Sequence, residues 1–395
     1  MRIATGGEGW GLSEEEWLLK QNVRELVESE ITPYFKDCYE EKTSDPFYRQ
    51  AMKKLGDAGF LRVGVPESLG GLGMGLNSVL IVTEEVTRGN GAIGIHAMEN
   101  MLCGTQLAIF APQAWEDYGE KLMSGDAIYA GALTAPEGNG NMPAWPKNFG
   151  RLEGDEWVLN GEKAFSSGGT FADFFACKAM CDGELHMFIV PADTPGLTVH
   201  HNPQIGCSPT YASTSYKNCR IPKGYGGPMI WDVQNMDENL LGFGRKEFGV
   251  GTAALALGTM SAAYDETYEY VSKRETFGKK VLELGAIQAK LVDMKIKIES
   301  ARSLMYTAGH MCMTNHKDAG AFANMAKIYC CETANWVTAQ CIPMFGCLGG
   351  NPDTGIARHH LDALCFSIGV GTTDMLIPTV AASLGFPKSD NMLMF

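Results

Sequence analysis

One stretch, residues 273–302, limits the possible folds more than any other part of the chain. It begins with charged residues and a Phe277-Gly278 break, and a glycine at such a point lets the backbone turn sharply. Apolar residues then recur at steps of three and four, as on the buried face of a helix: Leu284, Ile287, Leu291, Met294, Ile298 and Ala301. This pattern predicts a long bundle helix, preceded by a sharp turn that carries Arg274 and Phe277.

The first third of the chain is predicted to be helical. Ser13 followed by Glu16 forms a capping box, in which each side chain bonds the backbone N–H of the other residue at the start of a helix. A second helix is expected from about Pro46 to Ala58 and a fourth from Ile93 to Phe110, with a third between them. The sequence therefore predicts an N-terminal all-helical domain over residues 1–127.

Near residue 128 the apolar period changes to two, which indicates β-strands. The strand-like runs are 157–160, 174–180, 186–190, 197–200 and 216–222. Asn160-Gly161 is predicted to be a tight turn that joins two strands, because Asn-Gly favours hairpin turns. A central β-barrel or sandwich is expected over residues 128–238, and helical periodicity returns over 239–395. The predicted fold class is α+β multidomain, with an N-terminal helical domain, a central β-domain and a C-terminal four-helix bundle.

Length and charge restrict the partners of the chain. A chain of 395 residues exceeds what one hydrophobic core usually serves. Its net charge of -14 disfavours nucleic acid and anionic membranes as partners. No apolar run has the length of a signal peptide or a membrane span, so we expect a cytoplasmic protein with no membrane span. The 12 cysteines lack the paired spacing of metal ligands, which predicts reduced thiols and no metal site.

Several short motifs make the chain similar to a known family. Arg-Glu-Thr-Phe-Gly at 274–278, Gln288, Leu-Val-Asp-Met at 291–294 and Glu-Ser-Ala-Arg at 299–302 resemble the acyl-CoA dehydrogenase flavoprotein superfamily, and the likeness covers almost the whole chain. The resemblance implies an FAD-dependent oxidoreductase that acts on the CH–CH bond of an acyl-CoA thioester. It also implies an electron-transfer flavoprotein as partner, and a homo-oligomer (a dimer or a homotetramer) because the family shares FAD between subunits.

Two loops of the β-domain resemble the flavin-binding loops of this family. In the first loop a threonine hydroxyl and backbone N–H groups meet the pyrimidine end of the flavin, a role that the resemblance gives to Thr134. In the second loop Phe165 replaces a tryptophan that lies against the flavin face, and Ser167 replaces a threonine whose hydroxyl lies by N5. The expected contacts in these loops are Ala132, Leu133, Thr134, Phe165, Ser166 and Ser167.

The rest of the FAD is expected to contact the C-terminal helices of two subunits. The resemblance assigns the adenine half to the turn at Arg274 and Phe277 of one subunit and to residues 343–347 of another. Pro343 stands where the family has a glutamine, so that side-chain contact is lost. The expected contacts in this part of the chain are Arg274, Phe277, Gln288, Pro343, Met344, Gly346, Cys347, Thr372 and Asp374.

The acyl pocket is expected along the fourth helix. His96 and Glu99 lie on this helix, which resembles the one that walls the acyl pocket of the family. Gly140 lies in a segment that matches a substrate contact, and Arg245 is the candidate for gripping the pantetheine arm.

The residue that should remove the substrate proton is missing from its usual place. Most of the family has a glutamate immediately before the terminal Gly-Thr, and Val370, which cannot take a proton, occupies that position. Some relatives place the glutamate on the first bundle helix, where Phe248 stands and Glu247 is its neighbour. One step along a helix turns a side chain by about 100°, so Glu247 serves as the catalytic base only if the helix start is shifted or unwound. Its alternative role is that of an acidic residue beside the helix dipole.

Three functions stay open from the sequence. The leading hypothesis is an acyl-CoA dehydrogenase or, in the reverse direction, an enoyl-CoA reductase, with Glu247 or another displaced carboxylate as base. The second keeps the flavin but eliminates a substituent such as sulfinate from a CoA thioester without net oxidation. The third is a catalytically silent subunit of a hetero-oligomer whose other subunit carries the base.

Overall fold

The computed structural model describes residues 11–34, 44–136, 149–202, 204–207, 211–228 and 245–387, apart from the side chains of residues 44–45, 103–106 and 245. The predicted substrate contact Gly140 lies outside the described residues.

The described helices are α1 (Glu14–Glu30), α2 (Ser44–Asp57), α3 (Gly75–Gly89), α4 (Gly91–Phe110), α5 (Pro112–Met123), α6 (Arg245–Lys273), α7 (Gly285–Met313), α8 (Ala319–Cys341), α9 (Ile356–Ile368) and α10 (Thr373–Ser383). The strands are β1 (Tyr129–Ala132), β2 (Phe149–Glu153), β3 (Glu156–Ser166), β4 (Phe174–Cys181), β5 (Glu184–Pro191), β6 (Leu197–His201), β7 (Ala212–Pro222), β8 (Gly226–Pro228), β9 (Glu275–Thr276) and β10 (Lys279–Lys280). This order of helices, strands and helices confirms the predicted fold class.

Helix starts follow from local capping chemistry. At the start of α1 the Glu16 N–H donates to Ser13 Oγ at 3.2 Å and the Ser13 N–H donates to Glu16 Oε2 at 2.8 Å, which is the predicted capping box. Helix α4 begins after Asn90, whose Oδ1 accepts from the N–H groups of Ala92 and Ile93 at 3.0 and 3.1 Å. A side-chain oxygen at this position satisfies N–H groups that have no partner inside the helix.

The chain divides into two compact units. Unit 1 consists of residues 1–36, 76–94 and 245–392, and therefore holds α1, most of α3 and the helices from α6 to α10. Unit 2 consists of residues 37–75, 95–244 and 393–395, and holds α2, most of α4, α5 and the strands β1 to β8. The boundaries at 127 and 238 that the sequence indicates stay a prediction.

In unit 1 the helices α6, α7, α8 and α9 pack on one another as the predicted four-helix bundle. The apolar stripe of α7 explains its orientation, because Leu291, Met294, Ile298 and Ala301 are all buried. Helix α6 ends in a small hairpin of β9 and β10, whose turn has φ of 49° at Phe277 and 75° at Gly278. The predicted sharp turn therefore precedes α7.

A buried ion cluster joins separate parts of unit 1. The Glu84 carboxylate on α3 accepts from Lys20 Nζ on α1 at 2.6 Å, from the Arg302 guanidinium on α7 and from Tyr306 Oη at 3.0 Å. Burial alone would raise the pKa of Glu84, but the charges of Arg302 and Lys20 outweigh it and hold the pKa well below its usual range. Next to it, Glu85 accepts two hydrogen bonds from the Arg24 guanidinium, each at 2.7 Å.

Unit 2 contains an eight-stranded sheet in which neighbouring strands follow the order β6, β7, β3, β2, β4, β5 and β8, with β1 paired to β4. Most pairs are antiparallel, and β1 runs parallel to β4 from Tyr129 opposite Phe174 to Ala132 opposite Cys177. Large side chains of β4 and β5, including Phe174, Phe175 and Phe188, are fully buried and form part of the core.

The predicted turn at Asn160-Gly161 is wrong. Strand β3 is 11 residues long and runs through Asn160 and Gly161. Its register with β7 shifts between Leu159 and Gly161. Gly161 has φ of 133°, which a glycine adopts without strain, so the pair forms an irregularity inside one strand. The hairpin from β2 to β3 turns instead at Gly154, with φ of 62°.

Across the described residues, no single helix is long and apolar enough to cross a membrane. The pair α9 and α10 reaches such a length and composition only together, and it is bent by 48°. The ten cysteines whose side chains are described are free thiols, and eight of them are buried. No group of three or more metal-ligating side chains occurs in the described part of the chain.

Candidate functional site

The two predicted flavin loops lie side by side in unit 2. The Ala164 N–H donates to the Thr134 carbonyl oxygen at 2.8 Å, which forms an isolated bridge between the two loops. Lys163 Nζ adds a longer contact of 3.4 Å to the carbonyl oxygen of Leu133. The structure therefore brings Leu133 and Thr134 next to the strand end that carries Phe165, Ser166 and Ser167.

The second loop shows its aromatic ring to the outside and keeps its hydroxyls inside. Phe165 is 54% exposed and has φ of 57°, whereas Ser166 and Ser167 are buried. The register with β7 shifts between Lys163 and Ser166, so this irregularity gives the loop its local shape. Ser166 Oγ is buried and has no hydrogen-bond partner among the described residues.

Glu99 on α4 is bonded to the same loop. Ser167 Oγ donates to Glu99 Oε1 at 2.8 Å, whereas Glu99 Oε2 is buried without a partner in the described part of the chain. Burial raises the pKa of Glu99 to about 8, and the hydrogen bond from Ser167 offsets only part of that effect. At neutral pH Glu99 is therefore mainly a protonated carboxylic acid, which can donate as well as accept a hydrogen bond.

His96 lies one helical turn before Glu99 in an aromatic cage. Its ring makes edge contacts with Tyr48 and Phe171, at centroid distances of 5.7 and 5.3 Å. Both ring nitrogens are buried without a partner among the described side chains, and burial lowers the pKa of His96 to about 4. Gly168, with φ of 66°, passes so close that a Cβ there would meet the imidazole at 2.6 Å. The ring therefore fixes the loop that follows Ser167.

Strained backbone coincides with several predicted site residues. Seven non-glycine residues of the described chain have positive φ, and three of these are Phe165 (57°), Phe277 (49°) and Val370 (57°). A β-branched or bulky side chain rarely adopts this conformation, which costs free energy and tends to persist at functional sites. Sequence reasoning from residue types gave no signal for this strain.

In unit 1 a buried lysine holds the segment that contains Val370. Lys327 on α8 is fully buried, and its Nζ donates to the carbonyl oxygens of Ser367 at 2.8 Å and Gly371 at 2.6 Å. Burial lowers the pKa of Lys327. The two bonds lie on either side of Val370 in the chain, so the ammonium stabilises the turn between α9 and α10. The sequence analysis missed Lys327, because a lone lysine in a helix carries no signal of burial.

The remaining predicted cofactor contacts of unit 1 are mostly accessible. Arg274, Gln288, Pro343, Cys347 and Asp374 are exposed, and Phe277 is 90% exposed at its turn. Gly346 has φ of 61° and forms a kink in the 3-10 segment Ile342–Gly350, while Met344 is buried beneath it. Thr372 precedes the first residue of α10.

Glu247 lies in the first turn of α6, as its alternative role requires. It is 5% exposed, and one carboxylate oxygen lies 3.5 Å from Lys246 Nζ. Its charge contributes to a raised pKa of about 12 for the Cys312 thiol, after the larger effect of burial. The side chain of Arg245 lies outside the described residues.

The residues of unit 2 fit an isoalloxazine. An exposed aromatic ring, a buried hydroxyl without a partner and a hydroxyl bonded to a neutral acid lie within one loop. A flavin needs an aromatic wall and hydrogen-bond partners that face its ring nitrogens and oxygens. No cluster of metal ligands competes with this interpretation in the described chain.

Family models for acyl-CoA dehydrogenases match three successive parts of the chain: the N-terminal domain at 13–126, the middle domain at 130–218 and the C-terminal domain at 245–385. The mitochondrial short-chain specific acyl-CoA dehydrogenase of Bos taurus is 32% identical over an alignment of 398 positions, which covers 97% of this chain and 93% of that protein. The chain belongs to the acyl-CoA dehydrogenase family. The family predicted from the sequence motifs is thereby confirmed.

Two further relatives widen the comparison. The caffeyl-CoA reductase-Etf complex subunit CarC of Acetobacterium woodii is 28% identical over an alignment of 384 positions, which covers 92% of this chain and 96% of that protein. A chain in a solved structure of the electron transferring flavoprotein of Acidaminococcus fermentans superposes with a TM-score of 0.84 at 26% identity, and covers 95% of this chain and 99% of that one. As a member of the acyl-CoA dehydrogenase family, the protein is an FAD-dependent oxidoreductase that acts on CH–CH bonds.

Proposed function

We propose that this acyl-CoA dehydrogenase family member transfers a hydride between the β-carbon of an acyl-CoA thioester and FAD, with Glu247 exchanging the proton at the α-carbon. The main support is the pair of bridged loops in unit 2, in which the Thr134 carbonyl and the Ala164 N–H join two segments that carry hydroxyl groups. FAD supplies the hydride acceptor or donor at N5.

The chain's own residues hold and orient the ring system. Thr134 would bind the pyrimidine end, Phe165 would form a wall against the flavin face, and the Ser167 hydroxyl would bind at N5. Ala132, Leu133 and Ser166 complete this part of the site. The adenine half contacts Arg274, Phe277 and Gln288 of one subunit and Pro343, Met344, Gly346, Cys347, Thr372 and Asp374 of another.

Glu247 is the proposed base because Val370 cannot exchange a proton. This role requires a shift or unwinding of the first turn of α6, in which Glu247 lies. Burial supports the choice, since a carboxylate shielded from water removes a proton more readily than one that is fully hydrated. Its neighbour Lys246 places an amino group 3.5 Å from one of its carboxylate oxygens. His96 and Glu99 are proposed to face the acyl group, and Gly140 and Arg245 to contact the substrate.

The direction of the reaction and the electron partner are parts of the same proposal. One relative is named a dehydrogenase and another a reductase in a complex with Etf, so either direction fits this family. An electron-transfer flavoprotein is therefore proposed as redox partner. Assembly into a homo-oligomer is proposed because Phe277, a predicted FAD contact, is 90% exposed in the single chain. The cytoplasmic location and the tetrameric state stay predictions.

The direct test mixes the purified yellow protein with a panel of CoA thioesters while flavin absorbance is recorded. Bleaching by a saturated thioester indicates dehydrogenation, and reoxidation of the reduced protein by an enoyl thioester indicates reduction. Product without bleaching indicates elimination, and no response to any thioester indicates a silent subunit. Either of these last two outcomes would overturn the proposal.

The base is tested with a pair of variants on the same helix. Glu247→Gln should abolish bleaching yet keep flavin, because the amide cannot take the proton. Glu269→Gln removes an exposed carboxylate of α6 that pairs with Lys273, and serves as the control. Full activity of Glu247→Gln would exclude Glu247 as the base.

A further inference from the structure

The hydrogen bond between Glu99 and Ser167 involves the hydroxyl that we assign to flavin N5. This hydrogen bond has no role in the proposed function. Ser167 Oγ and Glu99 Oε1 are 2.8 Å apart, and the second oxygen of Glu99 is buried with no partner in the described chain. Buried polar atoms without partners are rare in folded proteins, and each one requires an explanation. A carboxyl group that must change its protonation state is one such explanation.

We propose that Glu99 is a redox-linked proton site of the flavin: when the bound flavin is reduced, an ionised Glu99 takes up a proton. The inference rests on the proposed position of Ser167 at N5. It adds to the proposed function a second proton that accompanies the electrons, carried by a side chain and not by the flavin itself.

Hydrogen-bond direction links the two groups. Oxidised N5 is an acceptor, so Ser167 must donate to it, and only a protonated Glu99 can then donate to Ser167 Oγ. Reduced N5 carries a hydrogen and donates to Ser167 Oγ, and the Ser167 hydroxyl then donates to Glu99. A protonated Glu99 serves both arrangements, whereas an ionised Glu99 serves only the second. This hydrogen-bond preference alone favours loss of the proton on reduction, so uptake requires that the repulsion between the two negative charges outweighs it.

Charge determines in which direction the proton moves. Two-electron reduction places one hydrogen on N5 and a negative charge on the ring, and like charges in a poorly solvated site repel each other. If Glu99 starts as a carboxylate, the ring and the side chain together take up two electrons from the reductant and two protons from solvent. If Glu99 starts protonated, they take up two electrons and one proton.

The surroundings of Glu99 contain few competing charges. Burial and the bond from Ser167 are the two causes of its raised pKa, and no charged side chain of the described residues adds to them. The titratable groups that face it are His96 on its own helix, with Nδ1 3.9 Å from Glu99 Oε2, and Tyr48 of α2 behind that ring. His96 stays neutral above about pH 4, so it does not take up the proton.

The test measures the midpoint potential of the flavin-loaded protein between pH 6 and pH 10, with mediator dyes and no substrate. The slope of potential against pH reports protons taken up per two electrons. In the wild type we expect this slope to double in an interval just above pH 8, from one proton to two. In Glu99→Gln, which keeps the shape and the hydrogen bond, the slope should show only the flavin's own proton.

Ser167→Ala supplies a second variant. It removes the hydroxyl that connects Glu99 to N5 and that contributes to the pKa of Glu99, so the interval of doubled slope should shift along the pH axis. The inference is overturned if wild type and Glu99→Gln have the same slope throughout, or if Ser167→Ala leaves the interval unchanged. A protein that binds no flavin would refute the proposed function instead, so the two failures are distinct.

Discussion

Replacing Glu99 by glutamine should stabilise the protein at neutral and alkaline pH. Folding buries this carboxyl group and raises its pKa from its ordinary value of 4.5 to about 8. At pH 7 the unfolded chain holds Glu99 ionised, whereas the folded chain must hold it protonated. One pKa unit corresponds to about 1.36 kcal/mol, so the mismatch costs about 3 kcal/mol of unfolding free energy at pH 7. Glutamine has the same shape, accepts the bond from Ser167 and avoids this cost.

The sign of the pH dependence makes the prediction specific. Because the folded pKa is raised, the contribution of Glu99 is fully present below pH 4.5 and is lost as the pH rises toward 8. The advantage of Glu99→Gln should therefore be near zero at pH 4.5 and grow by about 1.4 kcal/mol per pH unit. It should reach a constant value of about 5 kcal/mol above pH 8.

Thermal unfolding of the oxidised, flavin-loaded protein measures this advantage. A change of 1 kcal/mol shifts Tm by about 2–4 °C for a unit of this size. Between pH 6 and pH 8 the difference in Tm between the variant and the wild type should thus widen by roughly 5–9 °C. Glu116→Gln, which removes an exposed carboxylate on α5, controls for the loss of a surface charge. A difference in Tm that stays constant across this range would refute the reasoning.

Three further changes test the rest of the structure. Glu84→Gln should lower the unfolding free energy by about 3–5 kcal/mol, because it leaves the buried Arg302 charge without its carboxylate; a Tm close to that of Glu269→Gln would contradict this. As the pKa of Glu84 is lowered, its stabilisation should be present above pH 4.5 and disappear as the pH falls, which acid titration of Tm checks. Lys327→Met should lower the unfolding free energy by about 1.5–3 kcal/mol, because it removes two hydrogen bonds from a charged donor. Limited proteolysis of the variant should then cut near residue 370. If the turn between α9 and α10 stays uncut, Lys327 does not stabilise it. Val370→Asn should raise the unfolding free energy by about 1 kcal/mol, because asparagine tolerates positive φ better than valine does. A urea midpoint below that of the wild type would show that Val370 is not strained.

Local patterns allowed much of the fold to be predicted from the sequence. The capping box at Ser13 and the stripe of α7 depend on residues three or four positions apart, so their physics is contained in a short window. At Asn160-Gly161 a short window of sequence gives the wrong prediction. The pair has the composition of a hairpin turn, but pairing with β7, which comes four strands later in the chain, keeps β3 extended, and Gly161 accommodates the shift in register.

The candidate site was predictable in part. Thr134 and Ser167 were predicted from their motifs to contact the flavin, and this stays a prediction, but the structure does place their loops side by side. The link between Glu99 and Ser167 joins residues 68 positions apart, and no periodicity reports on it. Lys327 was missed for the same reason, because its partners are two backbone carbonyls that carry no sequence identity.

The ion cluster around Glu84 has a consequence for synthesis on the ribosome. Glu84 and Arg302 are 218 positions apart, and translation at about 5–20 residues per second separates their emergence by roughly 10–45 s. During that interval α7 has not been synthesised, so the face of α3 that carries Glu84 stays exposed. Nascent chains that stop before α7 should therefore depend on chaperones, and truncated products should be degraded soon after release.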